Sequence, residues 1–156
     1  INGLLVQADN DASTIKVSFG TGDTLYDKVK AVIMAIPEEI LDDAVVFVSP
    51  ANFRKLVFEL LEMNNFHIAP EEIEKGEFYF PGTSAKVVMT AGLTGVNDKI
   101  VGTFAKNLFY GCDMEGDAED IKVWFSDDDD LYKLKVKWNM GVQIAFPDMV
   151  VLGATA

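Results

Sequence analysis

The stretch Val45-Val46-Phe47-Val48-Ser49-Pro50-Ala51-Asn52-Phe53 changes character in its middle. Val45 to Val48 is an apolar, mostly β-branched run, which reads as a short buried strand. Ser49 then supplies a capping hydroxyl, and Pro50 fits the first position of a helix, where its missing N–H costs nothing. Beyond it, Phe53, Leu56, Val57, Leu60 and Leu61 recur at helical spacing and mark one buried face. A strand that feeds directly into a capped amphipathic helix sets the frame for the rest of the chain.

Upstream, Leu25, Val29, Val32, Ile33 and Ile36 again share one helical face. Asp23 or Thr24 caps this helix, and Pro37 ends it by disfavouring the helical conformation of its predecessor. Before it, residues 1–22 read as an opening strand or loop. Ile15 and Val17 flank Lys16, and Phe19 runs into the turn Gly20-Thr21-Gly22.

Downstream, Asn64-Asn65 closes the second helix. Residues 66–84 read as irregular, broken by Pro70, Gly76, Pro81 and Gly82, with a short acidic helix at Glu71 to Lys75. Phe78, Tyr79 and Phe80 anchor that loop to the core. Lys86 to Met89 reads as a strand, Gly92 to Gly95 as a turn, and Lys99 to Phe104 and Leu108 to Cys112 as two further strands.

The last third carries the longest pattern. Tyr132, Leu134, Val136, Trp138, Met140, Val142, Ile144 and Phe146 alternate with Lys133, Lys135, Lys137, Asn139, Gly141 and Gln143. Period-two alternation predicts a strand with one packed face and one wet face, about 50 Å long at ~3.3 Å per residue. Ile121, Val123 and Phe125 alternate in the same way, so Ser126 to Asp130 becomes the turn of a long hairpin. A final short strand follows Pro147, at Val150 to Leu152. The elements sum to an α+β chain, with helices packed on a mostly antiparallel sheet and a long C-terminal β-hairpin. A hairpin of that length needs something to pack on.

Composition limits what such a chain does. Its 156 residues suffice for one domain with a real core. No apolar run approaches the ~18 residues of a membrane span, and Ile1 to Val6 is too short and lacks the basic flank of a signal peptide. Ile1 in place of an initiating methionine is read as a processed chain or a fragment. The single cysteine, Cys112, rules out an internal disulfide or a cysteine-cluster metal site, and is expected to be a half-buried small hydrophobe. A net charge of −12 argues against a basic groove for nucleic acid. Nine acids between Asp113 and Asp130 face Lys122 alone.

No motif assembles an active site. The four acids Asp127 to Asp130 are consecutive, so alternate side chains diverge, and no glycine makes the sharp turn of a calcium loop. Asp9-Asn10-Asp11 begins like one, but Thr14 and Gly20 occupy the positions that need Gly and Glu. His67, the only histidine, sits in Asn65-Phe66-His67-Ile68 without a nucleophile motif around it. The glycine pairs at 20–22 and 92–95 fit no phosphate loop, and Trp124 and Trp138 are expected to pack in the sheet. No catalytic residue, cofactor or metal ligand is assigned. The alternative is a small hydrolase or binding domain built on His67 with nearby acids.

The order of elements resembles the C-terminal half of an HK97-like phage major capsid protein. The strand, Ser-Pro and helix of Val45 to Phe53 are similar to an axial-domain helix start in that family. Phe80-Pro81-Gly82 leading to Ala85-Lys86-Val87-Val88-Met89-Thr90 resembles a strand entry. Ile100-Val101-Gly102-Thr103-Phe104 with Leu108-Phe109-Tyr110-Gly111-Cys112-Asp113 resembles a strand pair, although Thr103 stands where Asp is frequent. Ile144-Ala145-Phe146-Pro147-Asp148-Met149-Val150-Val151-Leu152 resembles the closing strands.

The resemblance implies an axial-domain-like core at 23–112 and peripheral-domain-like strands with the long hairpin at 1–22 and 113–156. It implies self-association into pentamers and hexamers of an icosahedral shell, a location in the virion capsid, and only indirect contact with packaged DNA. An encapsulin-like compartment shares the fold. Asn64, Asn65, Phe66 and His67, with the 70–82 loop, become expected subunit contacts near a symmetry axis. The family's N-terminal arm, extended loop and spine helix have no counterpart here. Lys137 and Asp130 fall where some members carry the glutamate and asparagine of a crosslink, so no self-crosslinking is expected.

Overall fold

The computed structural model describes residues 3–63, 70–112, 120–137 and 140–155. Their elements run in the order α1 (Leu4–Asn10), β1 (Ile15–Phe19), α2 (Leu25–Ala35), β2 (Ala44–Val48), α3 (Pro50–Glu62), α4 (Pro70–Lys75), β3 (Glu77–Tyr79), β4 (Lys86–Met89), β5 (Lys99–Phe104), β6 (Leu108–Cys112), β7 (Asp120–Ser126), β8 (Leu131–Lys137), β9 (Met140–Ile144) and β10 (Val151–Thr155). Single 3₁₀ segments occupy Glu38–Asp43, Ala91–Leu93, Ala105–Asn107 and Pro147–Met149.

A six-stranded mixed sheet, ordered β1-β10-β5-β2-β4-β3, forms the body. β1 runs parallel to β10 and β2 parallel to β4, and the other three pairings are antiparallel. The helices α2 and α3 lay their apolar stripes on one face of it. Val29, Val32, Leu56 and Leu60 are fully buried there with Val46, Val48 and Val87 from the strands. Phe53 of α3 meets Phe78 of β3 with ring centroids 5.4 Å apart, which fastens the far edge of the sheet.

Both helices start where the sequence places them, and for the expected reasons. Thr24 caps α2 in a full capping box with Asp27. Glu59 of α3 also accepts hydrogen bonds from the N–H groups of Leu25 (3.3 Å) and Tyr26 (2.8 Å), so one helix supplies a carboxylate to the start of the other. Ser49 caps α3, accepting from the Asn52 N–H at 3.2 Å. Its hydroxyl in turn donates to Asn97 Oδ1 at 2.7 Å, and Asn52 Nδ2 donates to the Asn97 carbonyl at 2.9 Å. Ser49 is fully buried. Ser49→Ala therefore removes a cap and the hydroxyl's bond to Asn97, and is expected to cost about 1–2 kcal/mol in urea denaturation.

The other face of the sheet holds a smaller core. Ala8 of α1, Ile144 of β9 and Val150 are buried there with Leu4, Val101 and Leu108 around them. The antiparallel pair β6–β9 forms this layer, and Asn107, wholly buried, pins its base.

Several expectations are corrected. The alternation through 132–146 serves two ladders: β8 pairs with β7 from Asp120↔Lys137 to Ser126↔Leu131, whereas β9 pairs with β6, and residues 138 and 139 between them lie outside the described residues. Residues 1–22 are not merely strand or loop, because Leu4–Asn10 is helical. The irregular 66–84 segment contains β3, paired with β4. β1 and β10 share one sheet with β2, β3, β4 and β5. Cys112 is exposed.

Candidate functional site: an exposed apolar ribbon

The subunit contacts expected at Asn64, Asn65, Phe66 and His67 lie outside the described residues, as does Trp138. Among the described residues, no three His, Cys, Asp or Glu side chains come together to hold a metal ion. The Asp9-Asn10-Asp11 acids end α1. Asp9 is tied there to Lys99 of β5 at 2.9 Å, and that hydrogen-bonded lysine holds its carboxyl below the usual range.

A cavity of about 420 Å³ lies between α1, β2, β5 and β9. Leu4, Leu5, Phe47, Leu93 and Val101 line it, and Thr90 is the only polar side chain among the described residues that do. The Thr90 hydroxyl already accepts from the Gly92 N–H. Among the described residues, neither an acid–base pair nor a nucleophile with its base lines this space.

The unusual surface is the hairpin β7–β8. Among the described residues its strands pair only with each other. Cross-strand partners share a face, so Val123 with Leu134 and Phe125 with Tyr132 form one apolar side, continued by Val136. Phe125 and Tyr132 meet edge to face at 5.1 Å. None of the five is covered: Tyr132 is 79% exposed, Leu134 66% and Val123 65%. The opposite side carries Lys122 facing Lys135 and Trp124 facing Lys133. Trp124, expected to pack in the sheet, is 44% exposed.

The turn Asp127–Asp130 closes the ribbon, with Asp130 in the left-handed conformation (φ 52°). Asp129 accepts from Lys133 and from the Ser126 hydroxyl. These two bonds, Lys133 first, lower its pKa. At least this carboxylate of the acidic run serves the hairpin itself.

Further apolar side chains stand exposed elsewhere: Phe109, Tyr110 and Met140 on β6–β9, and Phe58, Leu61 and Met63 along α3. Clusters of exposed apolar side chains mark interaction sites on a folded protein. Sequence periodicity located the hairpin's apolar face as a packing face without deciding whether the chain's own core covers it. The signal that distinguishes the two is that β2, β4, β5 and β10 with α2 and α3 already complete the core without it.

No protein-family model matches the chain, and no curated protein matches it by sequence. Solved structures do match by shape. A chain of the satellite phage P4 procapsid, in the structure that includes the size determination (Sid) protein, superposes over 98% of this chain with a TM-score of 0.66 at 16% identity. A Mycobacterium phage Che8 chain superposes over 90% with a TM-score of 0.64 at 14% identity. A chain of the virus-like particle from Pyrococcus furiosus superposes over 94% with a TM-score of 0.55 at 13% identity. The match spans 50%, 53% and 58% of those chains respectively, so this chain corresponds to about half the length of each. The fold is therefore a mixed α+β fold of the type found in phage-capsid and virus-like-particle chains.

Proposed function

We propose that the chain is a structural subunit of an HK97-like phage or prophage capsid, acting through its interfaces and not through a catalytic pocket. The observation that carries this reading is the bare apolar ribbon on a fold shared with particle-forming chains. An isolated two-stranded hairpin is marginal in water, and a neighbouring subunit supplies what it lacks. Subunits associate into pentamers and hexamers that close into an icosahedral shell, with the protein located in the virion capsid. The 23–112 core, joined by β1 and β10, is the axial-type unit. The β7–β8 hairpin belongs to the peripheral-type unit. Asn64 to His67 and the 70–82 loop contact neighbours near a symmetry axis. A net charge of −12 keeps packaged DNA off most of the surface.

The likeness to a virus-like particle supports a neighbouring reading, an encapsulin-like compartment shell. Negative-stain electron microscopy of the full-length protein expressed alone tests both. Closed shells, or rings of five and six subunits, are expected, and their contents separate a capsid from a compartment. Monodisperse monomers at every salt and pH tried would sink the shell reading.

A further inference from the structure

The helix α1 is a small element laid over empty space. Its N-terminal half carries Leu4 and Leu5, which line the cavity of about 420 Å³ together with Phe47, Val101, Leu108 and Ile144 of the strands. Side chains that face a void forgo the dispersion contacts of a close-packed core. Seven residues without a side-chain cap do not sustain a helix in water. α1 is therefore helical only while it is docked.

What docks it lies towards its C-terminal end. Ala8 is buried, and Gln7 Nε2 donates to the Val142 carbonyl of β9 at 2.8 Å. Asp9 is clasped from two strands. Lys99 Nζ of β5 donates to its carboxylate at 2.9 Å, and Lys16 Nζ of β1 donates to its carbonyl at 2.7 Å. The chain then turns through residues 11–14, where the Ser13 N–H donates to Asp11 Oδ1 at 2.8 Å. Beyond the turn, the Ile15 N–H is fixed to the Val150 carbonyl at 2.9 Å. The helix thus has a hinge, a latch and a hollow beneath it. The main core under α2 and α3 lies on the other face of the sheet and forms a separate cluster.

We propose that α1 is a latched lid over the apolar cavity, released as a unit when the Asp9–Lys99 contact breaks, while the six-stranded sheet stays folded. Opening bares Phe47, Val101 and Leu108, so the chain carries a second apolar surface that the latch holds shut. Segments with little buried apolar contact open locally, at a fraction of the free energy of global unfolding. The lid goes beyond the shell reading and does not rest on it.

Thiol labelling of the full chain by N-ethylmaleimide, read by mass spectrometry, tests this. The exposed Cys112 is first removed by Cys112→Ser. One reporter, Ala8→Cys, sits under the lid at a position 1% exposed, and a second, Val46→Cys, sits in the main core at 0%. Position 8 is expected to label about tenfold or more faster than position 46, because only the lid opens locally. Asp9→Asn and Lys99→Gln are each expected to quicken labelling at position 8 about two- to fivefold, the range of a partly exposed ion pair, and to leave position 46 unchanged. Combining the two adds little, since both remove the same contact. Hydrogen exchange repeats the test without a reporter. In the unsubstituted chain the amides of Gln7 and Asp11, bonded within α1, are expected to exchange well before those of β5.

Equal labelling at the two positions, or α1 amides as protected as those of β5, would overturn the lid. Latch variants that leave position 8 unchanged would overturn it too, because the contact then holds nothing shut. Variants that quicken both positions alike would do the same, because Asp9 and Lys99 then serve the whole fold.

Discussion

Replacing Gly153 with valine is expected to cost about 3 kcal/mol of folding stability and to lower the thermal midpoint by about 6–12 °C. Gly153 lies in β10, between Val17 of β1 and Ile100 of β5. The helix α2 passes directly over it. A Cβ at this position would collide with the ring of Phe19 and stand 2.8 Å from Cγ2 of Val32. Phe19 and Val32 are themselves buried, at 4% and 0% exposure, so neither has space to retreat. A close-packed interior converts such an intrusion into displaced backbone or strained rotamers.

The backbone of Gly153 is not in the left-handed region, so the effect is steric alone. Gly102 provides the control. A Cβ there would meet Cγ1 of the same Val32 at 2.9 Å and Cδ1 of Ile36 at 3.1 Å, a shallower overlap than the collision with the Phe19 ring at Gly153. Gly102→Ala is expected to cost about 1 kcal/mol. Urea denaturation with the slope held constant measures both. A Gly153→Val chain within about 0.5 kcal/mol of the native one would show that α2 does not sit on β10 as described.

The second large effect is expected at Asn107. This side chain is fully buried at the base of the β6–β9 layer. Its Nδ2 donates to Thr103 Oγ1 (3.1 Å) and to the Phe146 carbonyl (2.8 Å), and its Oδ1 accepts from the Phe146 N–H (2.7 Å). Asn107→Leu keeps the bulk and removes all three bonds. The Phe146 N–H then loses its partner in a part-buried site, while the Phe146 carbonyl keeps its bond from the Met149 N–H at 3.2 Å, for a total cost of about 2–3 kcal/mol. The Thr103 hydroxyl keeps its own bond to the Met149 carbonyl at 3.1 Å.

The loss is local in character, because Asn107 joins the entry of β6 to the exit of β9. Hydrogen exchange is expected to accelerate first in β6 and β9, while the amides of β2 and β5 keep their protection. Uniform acceleration, or none, would contradict this division of the chain into a main sheet and a pinned second layer.

The elements that the sequence disclosed are those whose stability is mostly local. The capped starts of α2 and α3 depend on Thr24, Asp27, Ser49 and Pro50 within one turn of their own helices, and β4, β5 and β6 are short runs bounded by turns. The elements that stayed hidden depend on distant partners. α1 has seven residues and no side-chain cap. It is held by burial of Ala8 and by Gln7 Nε2 donating to the Val142 carbonyl at 2.8 Å. β3 is three residues long and exists through its ladder with β4.

Alternation through 132–146 carried no sign of where one ladder ends and the next begins. Period two records the face of each residue and not its partner. The candidate site was half legible for the same reason. Alternation located the apolar face of Val123, Phe125, Tyr132, Leu134 and Val136, but whether such a face is filled by the chain itself depends on how much core the other elements have already built.

The place of β10 has a consequence for synthesis. Ile15 is seated against Val151, and β10 also completes the edge of β5. A nascent chain that has emerged only as far as β9 holds β1 without its neighbour and β5 with an open edge, and the pairing that joins them spans most of the sequence. The main sheet therefore closes late, after translation has passed the hairpin. Until that moment an exposed apolar ribbon is attached to an unfinished scaffold, a state prone to wrong association. The order in which the strands leave the ribosome thus makes β10 the gatekeeper of the folded sheet.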